Sequence, residues 1–339
     1  MHINFNSVNL SLSGGNRFIF DLSNRLVDRG HNVTITHAGL KRYHDWFSPI
    51  KARIIDVELP LLARALGKYY LKKRGFYYDI ERALLEHIPD CDINVATYCW
   101  TAYPTAFCGK GIGYYLVQNY EPLFFDDPVL QKKASLTYAL PLRKLCVSRW
   151  LAEEVEGEYI GNGIDLKRFR RIVGLHTDSE RLKIMAFRRQ GIEWKNSQLL
   201  DEVLLRLRRK FGAKIEFLLP ENVSEDRLIE MYNEADLLLY LSKFEGFGYP
   251  PLEAMACGAA VLTTSCLEYA KHMENAFVLP LDCCADDVVE AVSRVVKNKD
   301  LFEKLVENGL ETAQQFDFEN VVDRFEDCIG CSRLWLEAQ

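Results

Sequence analysis

Apolar and polar positions along this chain alternate between two periods, and the periods take turns. His2–Phe5 reads as a short strand, followed by a loop, Asn6–Gly15, rich in Ser, Asn and Gly. Phe18, Ile19, Leu22, Leu26 and Val27 then recur at helical spacing, and Gly30 closes that helix before a strand at Asn32–Thr36. Strand, loop, helix, glycine, strand is the opening of a βαβ unit and of a parallel sheet. Further strands are expected at Ala52–Val57, Ile93–Thr97, Gly113–Gln118 and Lys144–Val147, with helices at Leu61–Arg74 and Asp79–Ile88.

The turn cluster Gly161-Asn162-Gly163 breaks this rhythm, after which it resumes. The second half predicts strands at Leu182–Phe187, Lys214–Leu219, Leu237–Leu241 and Ala260–Thr263. Between and after them the pattern predicts helices at Asn196–Phe211, Glu225–Asn233, Pro251–Cys257, Ala285–Asn298, Leu301–Phe316 and Glu319–Leu336. Leu237–Leu241 is apolar throughout, as a strand covered on both faces must be. Two successive α/β domains are therefore expected, 1–163 and 164–315, with a helical tail at 316–339.

Composition agrees with this picture and narrows it. A chain of 339 residues is long enough for about two cores. It is 48% apolar and 27% charged, as a soluble globular protein is, and its net charge of −6 argues against a nucleic-acid partner. Several of the ten cysteines lie in or beside apolar runs, where a thiol behaves as a small hydrophobe, and this suggests a reducing compartment. Cys328 and Cys331 form a C-x-x-C without a second pair, so no structural metal is expected. With neither a signal-like start nor a run of about 18 apolar residues, a cytoplasmic location is expected.

The segment Phe244-Glu245-Gly246-Phe247-Gly248-Tyr249-Pro250-Pro251-Leu252-Glu253 carries the strongest chemical signal. It leaves the carboxyl end of an apolar strand, where parallel sheets bind ligands. Its glycines allow close backbone approach and present N–H donors. Pro251 suits a first helical position, which would set Glu253 in the first turn, able to accept hydrogen bonds from a diol such as ribose.

The stretch Ser242–Thr264 resembles the donor-site signature of retaining glycosyltransferases of family 4. The resemblance extends to Gly14-Gly15, Arg29-Gly30-His31-Asn32-Val33, Ser148-Arg149-Trp150, Gly161-Asn162-Gly163-Ile164-Asp165 and Glu268-Tyr269 through Asn275-Ala276. It implies a GT-B fold: two Rossmann-like domains facing a central cleft, acceptor side first and nucleotide-sugar side second, with the C-terminal helix returning to the first domain. It implies that Arg189 and Lys195 bind the donor diphosphate, acting with Glu245 as the catalytic set. Fixed cations there would stabilise the departing diphosphate without a metal. Gly14, Gly15, Gly246, Phe247, Gly248 and Glu253 become donor-binding residues, and no cofactor beyond the dTDP-, UDP- or GDP-sugar substrate is implied.

One position departs from the family. Where a His is common near the transferred sugar, this chain has Gln118 or Asn119, within Val117-Gln118-Asn119-Tyr120-Glu121-Pro122. Asn119, Tyr120 and Glu121 are then the sugar-side or acceptor-side candidates. V-Q-x-Y-E-P is similar to a branch that includes rhamnosyltransferases of surface polysaccharide assembly, which implies a dTDP-rhamnose donor. A glycan or lipid-linked acceptor follows from the same resemblance. The stretch Lys41–Arg82 holds ten Lys or Arg against five Asp or Glu, and its core at 64–74 mixes cations with aromatics, suited to contact with an anionic bilayer. The competing reading is an inactive transferase-like subunit that binds within an assembly complex.

Overall fold

The structure, a computed structural model, describes residues 1–11, 13–38, 49–59, 74–174, 181–189 and 191–337. It divides into two units. The first comprises Met1–Asn162 with the segment from Glu319 onward, and the second comprises Gly163–Phe318.

The first unit runs β1 (His2–Ser7), α1 (Gly14–Asp28), β2 (Asn32–His37), β3 (Arg53–Asp56), α2 (Arg74–His87), β4 (Ile93–Ala96), α3 (Cys99–Phe107) and β5 (Ile112–Val117). It continues through α4 (Pro128–Leu136), β6 (Arg143–Cys146), α5 (Arg149–Val155) and β7 (Glu158–Tyr159). The strands form one sheet in the order β3-β2-β1-β4-β5-β6-β7, every pair parallel. Helix α1 starts where the Ser13 hydroxyl accepts from the Asn16 amide, and it buries Phe18, Ile19, Leu22 and Leu26. Gly30, at φ +88°, follows its end, a conformation that costs other residues energy.

This sheet carries a buried polar cluster on β1, β2 and β4. Asn4 Nδ2 donates to Asn6 Oδ1 at 2.8 Å and to Asn94 Oδ1 at 3.1 Å, while Asn6 Nδ2 donates to Asn94 Oδ1 at 2.7 Å. The hydroxyls of Thr34 and Thr36 both donate to Asn4 Oδ1 at 2.8 Å. All five residues are buried. Such a cluster is tolerable only because its members partner one another across β1, β2 and β4.

The second unit runs β8 (Leu182–Ala186), α6 (Ser197–Phe211), β9 (Ile215–Leu218), α7 (Glu225–Glu234), β10 (Leu237–Tyr240), α8 (Tyr249–Cys257), β11 (Ala260–Thr264), β12 (Phe277–Leu279), α9 (Ala285–Lys297) and α10 (Lys299–Gln314). Its parallel sheet has the order β12-β11-β10-β8-β9. The core is apolar: Ile184, Val203, Leu207, Leu237, Leu239, Leu262 and Val292 are among its members. The crossovers return β8 to β9, then step over β8 to β10, so the chain reverses direction across the sheet beside β8 and β10. Ligands bind parallel sheets outside the strand ends at such a reversal.

A last helix, α11 (Phe318–Glu337), packs on the first unit from Glu319 onward. Arg29 binds Glu319 at 2.8 Å, Asp323 at 2.6 Å and Glu326 at 2.5 Å, and Phe325 stacks on Phe5 with ring centres 6.0 Å apart.

Most expected elements are present with ends shifted by one to a few residues. The helices α3, α4 and α5 and the strands β7 and β12 carried no expectation. The expected helix Leu61–Arg74 and the basic core 64–74 lie almost wholly outside the described residues.

Candidate active site

The carboxyl end of β10 organises the second unit's candidate residues. Tyr240 is the last residue of that strand, and its hydroxyl donates to Glu245 Oε1 at 2.6 Å. Lys195 Nζ donates to the same carboxylate oxygen at 2.5 Å and to the Tyr240 hydroxyl at 3.1 Å. A closed triangle results, with Lys195 23% and Glu245 11% exposed in their side chains. Burial first, and then the Glu245 carboxylate, push the Tyr240 phenol well above its usual range, so it stays a neutral donor.

Lys195 reaches this point through a short 3-10 turn, Glu193–Lys195, closed by Asn196 in the left-handed region at φ 54°. The turn is tied to the loop beyond β10, because the Lys243 amide donates to the Trp194 carbonyl at 2.7 Å. Ser197 closes the other side of the turn: its hydroxyl accepts from the Arg189 amide at 3.1 Å and donates to the Arg189 carbonyl at 2.9 Å. The Arg189 side chain is exposed and, among the described residues, has neither hydrogen bond nor ion pair. The neighbouring Arg188 is different, with its guanidinium engaged by Asp201 at 2.7 Å.

The glycine loop ends in a turn that other residues would strain. Gly248 has φ +85°, and a Cβ there would stand 2.4 Å from Leu267 Cδ2. Its carbonyl accepts from the Tyr269 hydroxyl at 2.5 Å. Phe247 packs between Tyr249, Tyr269 and Phe316 at centroid distances of 5.4–5.7 Å, and Gly246 is buried. The helix starts earlier than the proline pattern suggested. Gly248 is the cap and Tyr249 the first helical residue, so Glu253 stands in the second turn rather than the first. There it is buried, and Oε2 accepts from the Tyr232 hydroxyl of α7 at 2.6 Å.

Sequence reading singled out neither Tyr232 nor Tyr240. The only signal was a phenol ending the Leu237-Leu238-Leu239-Tyr240 strand, where a fourth aliphatic residue would have served the core equally well.

In the first unit Gly14, exposed, and Gly15, half-buried, form the start of α1. A Cβ on Gly15 would approach Gln118 Oε1 to 3.2 Å, so this turn packs against the end of β5. Asn119 and Tyr120 are half-buried; Asn119 Oδ1 accepts from the Tyr120 amide at 2.9 Å, and Tyr120 stacks on Tyr138 at 5.8 Å.

Glu121 differs from these neighbours. It is 2% exposed and accepts at Oε2 from the Cys99 amide at the start of α3, at 2.5 Å, and from the Tyr115 hydroxyl at 2.8 Å. Burial pushes its carboxyl up to about 8 in spite of those hydrogen bonds. Its partners are therefore the protein's own helix start and a core phenol.

Among the described residues, no group of three or more His, Cys, Asp and Glu side chains is arranged to hold a metal ion. No described helix is long and apolar enough to cross a membrane.

Residues 197–312 match the family model described as glycosyl transferases group 1. That match corrects the family-4 assignment drawn from the motifs. The serotype-specific mannosyltransferase WbdA of Escherichia coli is 30% identical over 136 residues, 39% of this chain and 16% of that protein. The O-antigen biosynthesis protein RfbC of Myxococcus xanthus is 26% identical over 267 residues, covering 70% of this chain and 20% of that protein. The chain thus spans about a fifth or less of these relatives. Among solved structures, sucrose-phosphate synthase from Thermosynechococcus elongatus superposes with a TM-score of 0.79 over 100% of both chains, at 15% identity. HepE of Anabaena, in complex with UDP and glucose, superposes at 0.76 over 98% of this chain and 100% of that one, at 14% identity. The fold is accordingly GT-B-like, built of two Rossmann-like α/β domains.

Proposed function

We propose that this chain is a glycosyltransferase that holds a nucleotide-sugar donor on its second unit and delivers the sugar to a glycan or lipid-linked acceptor. The observation that carries the reading is the Lys195–Tyr240–Glu245 triangle at the carboxyl end of β10, beside a glycine loop that leads into α8. Arg189 and Lys195 are the cations for the diphosphate, and Glu253 is the ribose ligand. Glu245 and the backbone around Gly246, Phe247 and Gly248 orient the sugar. HepE, of the same fold, is in complex with UDP and glucose, which supports a nucleotide-sugar donor.

The chemistry follows from charge. As the glycosidic bond breaks, negative charge gathers on the departing diphosphate, and cations already in place lower the barrier without a metal. The Glu245 carboxylate is already bound by Lys195 and Tyr240, so it is a poor free nucleophile. Attack on the face the diphosphate leaves, with a phosphate oxygen taking the acceptor proton, fits this arrangement and retains the anomeric configuration. On the first unit, Gly14 and Gly15 are donor-binding residues, and Asn119 and Tyr120 are sugar- or acceptor-side residues. Glu121, through Cys99 and Tyr115, holds their neighbourhood in shape. For a lipid-linked acceptor, the basic run 64–74 supplies contact with an anionic bilayer.

A thermal-shift screen against UDP, GDP, dTDP and their sugars tests the donor reading. Stabilisation by at least one nucleotide in the wild type, reduced in Glu253→Ala, is the expected result. Equal stabilisation of both proteins removes Glu253 from the site.

A further inference from the structure

We infer that Tyr240 is a positioning residue that lets Lys195 be shared between Glu245 and the donor diphosphate, so that Glu245 restrains nucleotide affinity while it serves turnover. This rests on the donor-site reading above and goes beyond it by assigning opposite roles to two neighbouring groups.

The geometry makes the conflict explicit. Lys195 is the candidate phosphate ligand, yet Glu245 Oε1 already holds its ammonium at 2.5 Å. An ammonium has three donors; two are spent here on Glu245 and Tyr240, leaving one for a phosphate oxygen. A phosphate that draws Lys195 away would strip charge from a carboxylate that is only 11% exposed. Uncompensated, that carboxylate is expensive. The Tyr240 hydroxyl is the compensation, because it donates to the same oxygen at 2.6 Å from a rigid strand end. Its phenol ring is held in place as well, with Lys195 Nζ 5.4 Å from the ring centre. Tyr240 is buried, so its position does not depend on the ligand.

The signs follow. Glu245→Gln removes the competing charge and keeps the shape, so Lys195 meets the diphosphate as an uncancelled cation. Nucleotide binding should tighten by about 5- to 10-fold while turnover falls, a split a folding defect would not produce. Tyr240→Phe leaves Glu245 dependent on Lys195 alone, so binding should weaken by about 5-fold.

Isothermal titration of UDP, GDP and dTDP into wild type, Lys195→Met, Glu245→Gln and Tyr240→Phe, with circular dichroism melts of each, decides the matter. Opposite shifts in Glu245→Gln and Tyr240→Phe, with weak binding in Lys195→Met, are the expected result. Either isosteric variant tests the inference by itself should the other fail to fold. Weaker or unchanged binding in a folded Glu245→Gln overturns the inference and leaves the donor site standing, as does unchanged binding in a folded Tyr240→Phe. No binding of any nucleotide to the wild type overturns the donor-site reading and this inference with it.

Discussion

The two units are built on the same parallel scaffold but keep their polar groups in different places. In the second, the sheet core is apolar and the candidate site's side chains stand on loops past the strand ends, as Lys195 and Glu245 do. In the first, Asn4, Asn6 and Asn94 sit inside the sheet's packing, and Glu121 is enclosed against the start of α3. The polar groups of the second unit bond to one another past a strand's end, whereas many in the first are spent inside the sheet.

Substitutions should separate the two patterns. Arg189→Ala should lower turnover by about 100- to 1,000-fold, since it removes charge at the leaving group, while its exposed side chain leaves the melting temperature nearly unchanged. Single-turnover kinetics beside a thermal melt checks both halves, and a large loss of stability would break the contrast. Asn4→Ala should do the reverse. It removes the acceptor for Thr34 and Thr36 and the donor for Asn6 and Asn94, at a cost of about 3 kcal/mol in urea unfolding, with nucleotide affinity retained.

Glu121 gives a smaller effect, visible in its pH dependence. Its carboxyl is raised from 4.5 to about 8, so the folded state holds a proton that the unfolded chain releases earlier. Its contribution is present in full below about 4.5 and is lost as pH rises to about 8. Glu121→Gln should flatten the decline of melting temperature across that window; an unaltered slope would mean that the carboxyl is ionised in the fold. Arg29→Ala should matter least, about 1 kcal/mol, because its carboxylate partners on α11 are partly solvated. Faster amide exchange confined to α11, and more pronounced at low salt, is the expected signature.

The same contrast explains what could be read from the residues alone. Most of the second unit's strands and helices have clean periods, and its candidate site is marked by glycines, prolines and two glutamates at short range. The first unit hid α3, because Cys99-Trp100-Thr101-Ala102-Tyr103-Pro104-Thr105-Ala106-Phe107 is apolar around most of its circumference and contains a proline. β12 has three residues and β7 two, too short for any period to register. The burial of Glu121 was invisible for another reason: Cys99, Tyr115 and Tyr138 are its neighbours only after β4, β5 and the helices are placed. Tyr240 and Tyr232 were missed likewise, since a hydroxyl's partner across a loop or between helices leaves no mark at fixed spacing. Glu253 was expected in the first helical turn and stands in the second, because the left-handed Gly248 rather than the proline pair begins the helix.

The helix from Glu319 returns to the first unit after the whole of the second has intervened, and Arg29 meets Asp323 across 294 positions of sequence. On a ribosome this sets an order of events. The second unit, continuous from 163 to 318, has all its strands while the first still lacks the helix that covers Phe5. Its closure must await a long-range encounter, a slow step by loop entropy alone. During that wait Phe5 lacks the Phe325 ring that stacks on it, and the opposite charges of the acidic row Glu319, Asp323, Glu326 and of Arg29 favour the encounter.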